Sequence, residues 1–558
     1  MGIKGFFASI LAAITAFTSS IFAFGVDGVN NYRFVADASQ TGTTLSNPAS
    51  NVNIWSIQGN PFVGATNNTE NDIFEFVEYI QLMQCTGGNA DRDLFVDPYD
   101  KTVLDDYDFT KLIENCRGVL GLGAKPMLKL GSVPLKYSAK ADPATTFGTN
   151  VYPPDDYNVY YNYIAAIAEA LVNEFGRDEV LTWRFGVMTE YENSAWFMAN
   201  SENANDTATE YCKLYDYTVA ALTDVIGENV FVGAHSMTVT EGLWDENIFI
   251  NHCANGTNYK TGKKGTRLCY LSASFYDARP GEYTKGKTLP ETIAYLRKCA
   301  EKAGLNNLIY GIDEGRILCG NSSGNVGNEL LSRVCGYTYQ AAYDARLYAQ
   351  MFENNIDYFS AWSYLSNGLL EGNPTVNYHV AKQAAKFAGA KLLNTKKALS
   401  LGLILGADVK ALSAYNEQTD TLHVMAYNFK NKVDYKCHAD LGITVNVPQF
   451  DAKQVKITAY VIDDSCNYFD EWVEDRKTYN ITDDCFAWSP DDPCIDNPTT
   501  LNNAEARKIY FEQLYDKYTE CSKLTPVETI ATVENGEIIL DITLDPNAVV
   551  FYEITPVK

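Results

Sequence analysis

Histidine is nearly missing from this chain, with five in 558 residues, and no two of its 13 cysteines share Cys-x-x-Cys spacing. These shortages argue against a structural zinc site, whose ligands come in such clusters. Positive charge is short as well: 44 lysines and arginines face 70 aspartates and glutamates, for a net charge of −26. That field repels nucleic acid and anionic membranes, and it weakly disfavours a polyanionic ligand. No Gly-x-Gly-x-x-Gly turn marks a dinucleotide crevice. Beyond residue 24 no apolar run is long enough to span a bilayer. The sequence thus implies no metal, no cofactor, no nucleic-acid partner and no membrane span in the mature chain.

What is present points to a large, secreted, folded protein. The 46% hydrophobic fraction fills a real core, and 558 residues exceed one ordinary domain. Met1 to Lys4 followed by the apolar Phe6 to Phe24 predicts a secretory signal peptide over residues 1–24, with a membrane anchor as the rival reading. The cysteines suit an oxidising compartment, and their spacing suggests local pairs Cys85–Cys116, Cys253–Cys269 and Cys319–Cys335. Glycosylation sequons at Asn67, Asn205, Asn255, Asn321 and Asn480 fit an extracellular location.

Strand-like and helix-like segments alternate from about Tyr107 onward. Tyr160, Ile164, Ile167, Leu171 and Phe175 line one helical face, with Gly176 placed to end the helix. Strands are predicted at Pro126–Leu130, Val180–Val187, Val230–His235, Leu268–Tyr276, Leu308–Ile312 and Tyr358–Trp362, with helices such as Leu289–Ala303 between them. This is the rhythm of parallel β/α units, and its length fits an eightfold (β/α)8 TIM barrel over residues 25–405. Short strands separated by turns follow, predicting a C-terminal β-sandwich over 406–558 with a cysteine-containing insertion near 482–522. The fold class is therefore α/β with an all-β second domain.

Two glutamates close strand-like runs: Glu190 ends Leu181–Glu190, and Glu314 ends Leu308–Glu314. A parallel barrel puts its active site at the carboxyl ends of its strands. Two carboxylates so placed can flank one glycosidic bond, one protonated to donate and one ionised to attack. Burial after an apolar strand would keep Glu190 protonated, and Arg316 nearby would hold Glu314 ionised. Glu192 and Asp313 are the local rivals.

Four stretches resemble glycoside hydrolase family 39, the β-xylosidase and α-L-iduronidase family. They are Tyr107–Leu112 with Leu122–Pro134, Phe175–Glu190 with Trp196, the Asp313-Glu314 strand with Ala361-Trp362-Ser363, and, more loosely, Val461–Trp472. The resemblance implies a retaining (β/α)8 glycosidase acting on an oligo- or polysaccharide without a cofactor, with Glu190 as acid/base and Glu314 as nucleophile. Three positions depart from the family pattern. Thr189 stands for an asparagine, Ser274 for a histidine and Gly315 for a tryptophan. The departures keep a second reading open, an inactive carbohydrate-binding relative. Thr189, His235, Tyr276 and Trp362 complete the candidate substrate-binding set. A strand-end tyrosine can orient the nucleophile, and a tryptophan on the last strand can floor a sugar ring.

Overall fold

The computed structural model describes residues 29–54, 75–83, 85–142, 145–238, 242–277, 280–281, 286–317, 337–360, 369–370, 373–401, 407–447, 452–482, 501 and 503–557. After a first strand, β1 (Val29–Thr44), eight strands form one parallel sheet in chain order. They are β2 (Asn51–Ile54), β3 (Tyr79–Leu82), β4 (Lys125–Leu130), β5 (Arg184–Val187), β6 (Phe231–Met237), β7 (Tyr270–Asp277), β8 (Ile309–Ile317) and β9 (Tyr358–Phe359). The two edges of the sheet meet. Asn53 Nδ2 on β2 donates to the Asp313 carbonyl on β8 at 3.2 Å, and Phe359 N on β9 donates to Pro48 O at 2.9 Å. The sheet is thereby a nearly closed barrel.

Alternation along each strand divides the barrel's two faces. Leu128, Leu130, Phe185, Val187, Val232, Leu271, Ala273 and Ile312 face outward and share one core with helix residues such as Ile164, Leu171, Leu222 and Leu296. The inner face is polar: Gln81, Lys129, His235, Ser272 and Asp313 are all buried there. Below them the Arg184 guanidinium lies 3.8 Å from the Tyr79 ring centroid, a cation–π contact that plugs the barrel floor.

The helices follow the predicted periodicity. Tyr157–Phe175 buries Tyr160, Ile164, Ile167 and Leu171, takes its N-cap from Asp156, and stops at Gly176, whose φ of 85° an L side chain rarely adopts. Here the sequence reading needs a correction. The predicted strand from Val180 begins only at Arg184, because Arg177–Val180 forms a helical turn. Asp178 and Glu179 sit favourably at its N-terminal end, and Glu179 is held by Lys125 at 2.6 Å and Trp183 Nε1 at 2.9 Å.

The second sheet has nine strands. β1 lies inside it, antiparallel to Lys391–Leu401 and parallel to His438–Asn446. Residues from both ends of the sheet, among them Val455 and Ile538, share one apolar core, so the sheet folds over as a two-layered sandwich. By hydrogen bonding β1 and Lys391–Leu401 belong to this sheet, although both precede the boundary expected at residue 405. Tyr427, Phe429, Val549 and Phe551 join the barrel's own core, which makes the two sheets one packed body. A helical insertion, Phe469–Tyr479 and Ala504–Cys521, buries Trp472, Tyr510 and Tyr518 in a separate cluster.

The expected pairs Cys85–Cys116 and Cys253–Cys269 are not bonded, and all four are free thiols. The Cys85 sulfur turns to the Lys129 carbonyl at 3.6 Å, and that of Cys269 to the Val230 carbonyl at 3.8 Å. Cys319–Cys335 lies outside the described residues, as do the segment 1–24 and Trp362.

Candidate active site

The site is built at the carboxyl ends of the barrel strands. β8 carries a local irregularity that decides its chemistry. Ala273 on β7 pairs with Ile312, but Ser274 pairs with Glu314, so Asp313 is an extra residue. A bulge of this kind re-aims side chains. It lets the consecutive Asp313 and Glu314 both serve the barrel interior.

Asp313 is the hub of that interior. Its Oδ1 accepts from Gln81 Nε2 at 2.6 Å and from the Tyr358 hydroxyl at 2.7 Å. Its Oδ2 accepts from Ser272 Oγ and lies 3.0 Å from His235 Nδ1. Burial pushes its pKa up, yet the His235 interaction and the hydrogen bonds from His235, Ser272 and Tyr358 outweigh burial and hold it below the ordinary value. Burial lowers the pKa of His235, against the opposing pull of the Asp313 charge. His235 is thus wholly buried and serves this network.

Glu314 sits one residue higher and is 7% exposed. Tyr276 donates its hydroxyl to Glu314 Oε1 at 2.9 Å. Arg316, expected from sequence as the counter-charge of Glu314, pairs through Nε (3.1 Å) and Nη2 with Asp344. In the barrel Glu314 interacts with the Lys129 ammonium. That residue lay unremarked in a strand read simply as buried. The available signal was an ionisable side chain in a strand apolar on both sides of it.

Glu190 follows β5 with a φ of 40°, and Met188 before it has a φ of 61°. Two such residues so close together mark a backbone held in an uncommon shape by its surroundings. Trp196 Nε1 donates to Glu190 Oε2 at 3.0 Å, and Asn193 Nδ2 does so at 3.4 Å. Burial raises the pKa of Glu190, against the opposing effects of the Ser274 hydrogen bond, the Lys129 charge and the bonds from Trp196 and Asn193. Thr189 is buried and its hydroxyl has no hydrogen-bond partner among the described residues.

Ser274 ties the two glutamates together, being the register partner of Glu314 and a hydrogen-bond donor to Glu190. An aromatic cluster does the same. Trp196 and Tyr276, which hold the two carboxyl groups, pack in one group with Met83 and Phe147, and Phe147 stacks on Trp196 at 4.2 Å. Glu192, a rival from the sequence, faces away from this group. Its Oε1 accepts from Thr238 Oγ1 at 2.6 Å, and burial beside Glu246 pushes its pKa up to about 8. Among the described residues no group of histidine, cysteine and carboxylate side chains could hold a metal ion.

A parallel barrel with carboxyl groups presented by its fourth and seventh strands is the framework of the glycosidase class of (β/α)8 proteins. The chain belongs to Glycosyl hydrolases family 39, which matches residues 95–486, more than half of its length. A β-xylosidase of Geobacillus stearothermophilus is 28% identical over 149 residues, 26% of this chain and 28% of that protein. An α-1,4-L-rhamnosidase of Formosa agariphila is 21% identical over 345 residues, 60% of this chain and 63% of its own length. The matched stretches thus cover less than two thirds of these relatives. The crystal structure of a monomeric β-xylosidase from Caulobacter crescentus CB15 superposes with a TM-score of 0.62 at 15% identity, covering 94% of this chain and 100% of that one. A bacterial orthologue of human α-L-iduronidase gives 0.60 at 14%, covering 95% and 84%. At these identities the structural likeness speaks for the fold.

Proposed function

We propose that this chain is a secreted, retaining glycosidase that cleaves O-glycosidic bonds of a neutral sugar, in the manner of a β-xylosidase. The observation that supports the reading is that Glu190, its pKa raised by burial, bonds Ser274, the register partner of the Tyr276-bound Glu314. Glu190 gives its proton to the glycosidic oxygen while Glu314 attacks the anomeric carbon, so the C–O bond breaks as the glycosyl ester forms. Glu190, now ionised, takes a proton from water, and the resulting nucleophile hydrolyses the ester and frees Glu314. The negative surface and the carboxylate-rich interior favour a neutral glycone over a uronate. Secretion is supported by the first 24 residues and by exposed sequon asparagines at Asn205, Asn255 and Asn480.

The test is a panel of aryl glycosides (β-xyloside, β-glucoside, β-galactoside, α-L-arabinoside, α-L-rhamnoside), assayed with wild type and with Glu314→Gln. Hydrolysis of one member with net retention, lost in the variant, is the expected result. Inversion at the anomeric carbon would sink the nucleophile assignment. Binding of glycans without turnover of any member would favour the inactive carbohydrate-binding alternative.

A further inference from the structure

Lys129 is a wholly buried ammonium whose Nζ has no hydrogen-bond partner among the described residues. Leaving a cation in that state costs free energy, since its hydration is lost and no acceptor replaces it. Its position explains what offsets the cost. On β4 the outward side chains Leu128 and Leu130 join the helix-packed core, so Lys129 lies on the inner face. Its partner across β5 is Gly186, which has no side chain to separate it from the middle of the barrel. There the ammonium interacts favourably with Glu314, Asp313 and Glu190, and more weakly with Cys85, while His235 is the other titratable group that feels it.

Asp313 already has donors in Gln81, Tyr358, Ser272 and His235, so it does not need a further cation to stay ionised. Glu314 accepts from the Tyr276 hydroxyl and lies within the field of the Lys129 ammonium. We infer that Lys129 is a positioning residue for the reaction, supplying from beneath the site the positive charge that keeps Glu314 ionised while Glu190 holds its proton. This rests on the glycosidase reading. One cation acting on both carboxyl groups sets where both titrate, so it fixes the pH window of activity as a whole. Burial depresses Lys129 itself to about 8 against the pull of the three carboxylates, so its charge is present through the neutral range and fades above it.

The experiment is the pH profile of kcat/KM for wild type, Lys129→Met and Lys129→Arg, with thermal unfolding recorded for each. Removing the charge raises the pKa of Glu314 and of Glu190 together. In Lys129→Met both limbs of the bell are expected to move to higher pH by about one unit, with a fall of roughly two- to fourfold at the wild-type optimum. Lys129→Arg keeps the charge and should keep the limbs where they are, even if its bulk lowers kcat. The methionine variant should melt lower than wild type, because it leaves the buried carboxylates without their cation. If it does not fold, Lys129→Gln makes the same change of charge. Limbs that stay in place in the neutral variants, or that move equally in Lys129→Arg, would overturn the inference. Trapping of a glycosyl ester on Glu314 by a 2-fluoro-glycoside is read separately in wild type: its absence would count against the glycosidase reading, and its presence with an unmoved bell against Lys129 alone.

Discussion

Gly186 faces His235 with no space for a β-carbon between them. A Cβ built at Gly186 would stand 2.5 Å from His235 Nδ1 and 2.5 Å from the Tyr270 hydroxyl. Gly186→Ala should therefore push the imidazole off Asp313, costing about 1–3 kcal/mol as overpacking does. Thermal unfolding checks the stability, and kcat/KM should fall with it. Unchanged melting would mean that the barrel centre can yield more than its packing suggests.

The Asp313 carboxylate accepts from four side chains in the barrel interior. Asp313→Asn removes the charge and turns one acceptor into a donor, and breaking a buried network of this kind costs about 3–5 kcal/mol. The pH sign follows from the depressed pKa. Its stabilisation is present above the unfolded value of about 4 and is lost as pH falls through the lower folded value. Acid unfolding curves should lose that component in the variant.

Glu192 behaves in the opposite sense. Its folded pKa is raised to about 8 by burial and by Glu246. The folded state holds this proton more tightly than the unfolded state does, so stability is full below about pH 4.5 and declines as pH rises toward 8, by up to about 1.4 kcal/mol per unit. Glu192→Gln should flatten the melting temperature between about pH 5 and 8. A slope that persists in the variant would assign it to another group.

Glu190 as acid/base predicts a leaving-group effect. Glu190→Ala should cut kcat/KM about 10²–10⁴-fold on a poor leaving group, and far less on an activated phenol that departs without protonation. Azide should restore turnover and yield a glycosyl azide of retained configuration. Equal losses on both substrates would point to a structural role.

The barrel was legible because its signals are repetitive. Leu289–Ala303 emerged with the predicted bounds, since Thr288, Glu291 and Gly304 cap it. The β1 strand was not legible in the same way. Its polar Asn-Asn-Tyr-Arg-Phe-Val run alternates like any edge segment, and its partners lie more than 340 residues away. Glu190 and Glu314 could be named from strand ends alone. The Asp313 bulge could not, because a one-residue register shift leaves no mark in composition. Lys129 escaped notice for a related reason, as its value depends on the carboxylates that β5 and β8 bring to it. The Cys85–Cys116 and Cys253–Cys269 pairings failed because sequence spacing says nothing about which way a sulfur turns.

The placement of β1 has a consequence for how the protein is made. β1, an inner strand of its sheet, is synthesised long before the strands on either side of it. At roughly 5–20 residues per second, β1 waits on the order of 20–80 s before Lys391–Leu401 and His438–Asn446 both exist to receive it. During that interval an unpaired 16-residue strand must be shielded while the barrel closes behind it. Cutting the chain at residue 405 would accordingly yield two pieces that each lack part of the same sheet.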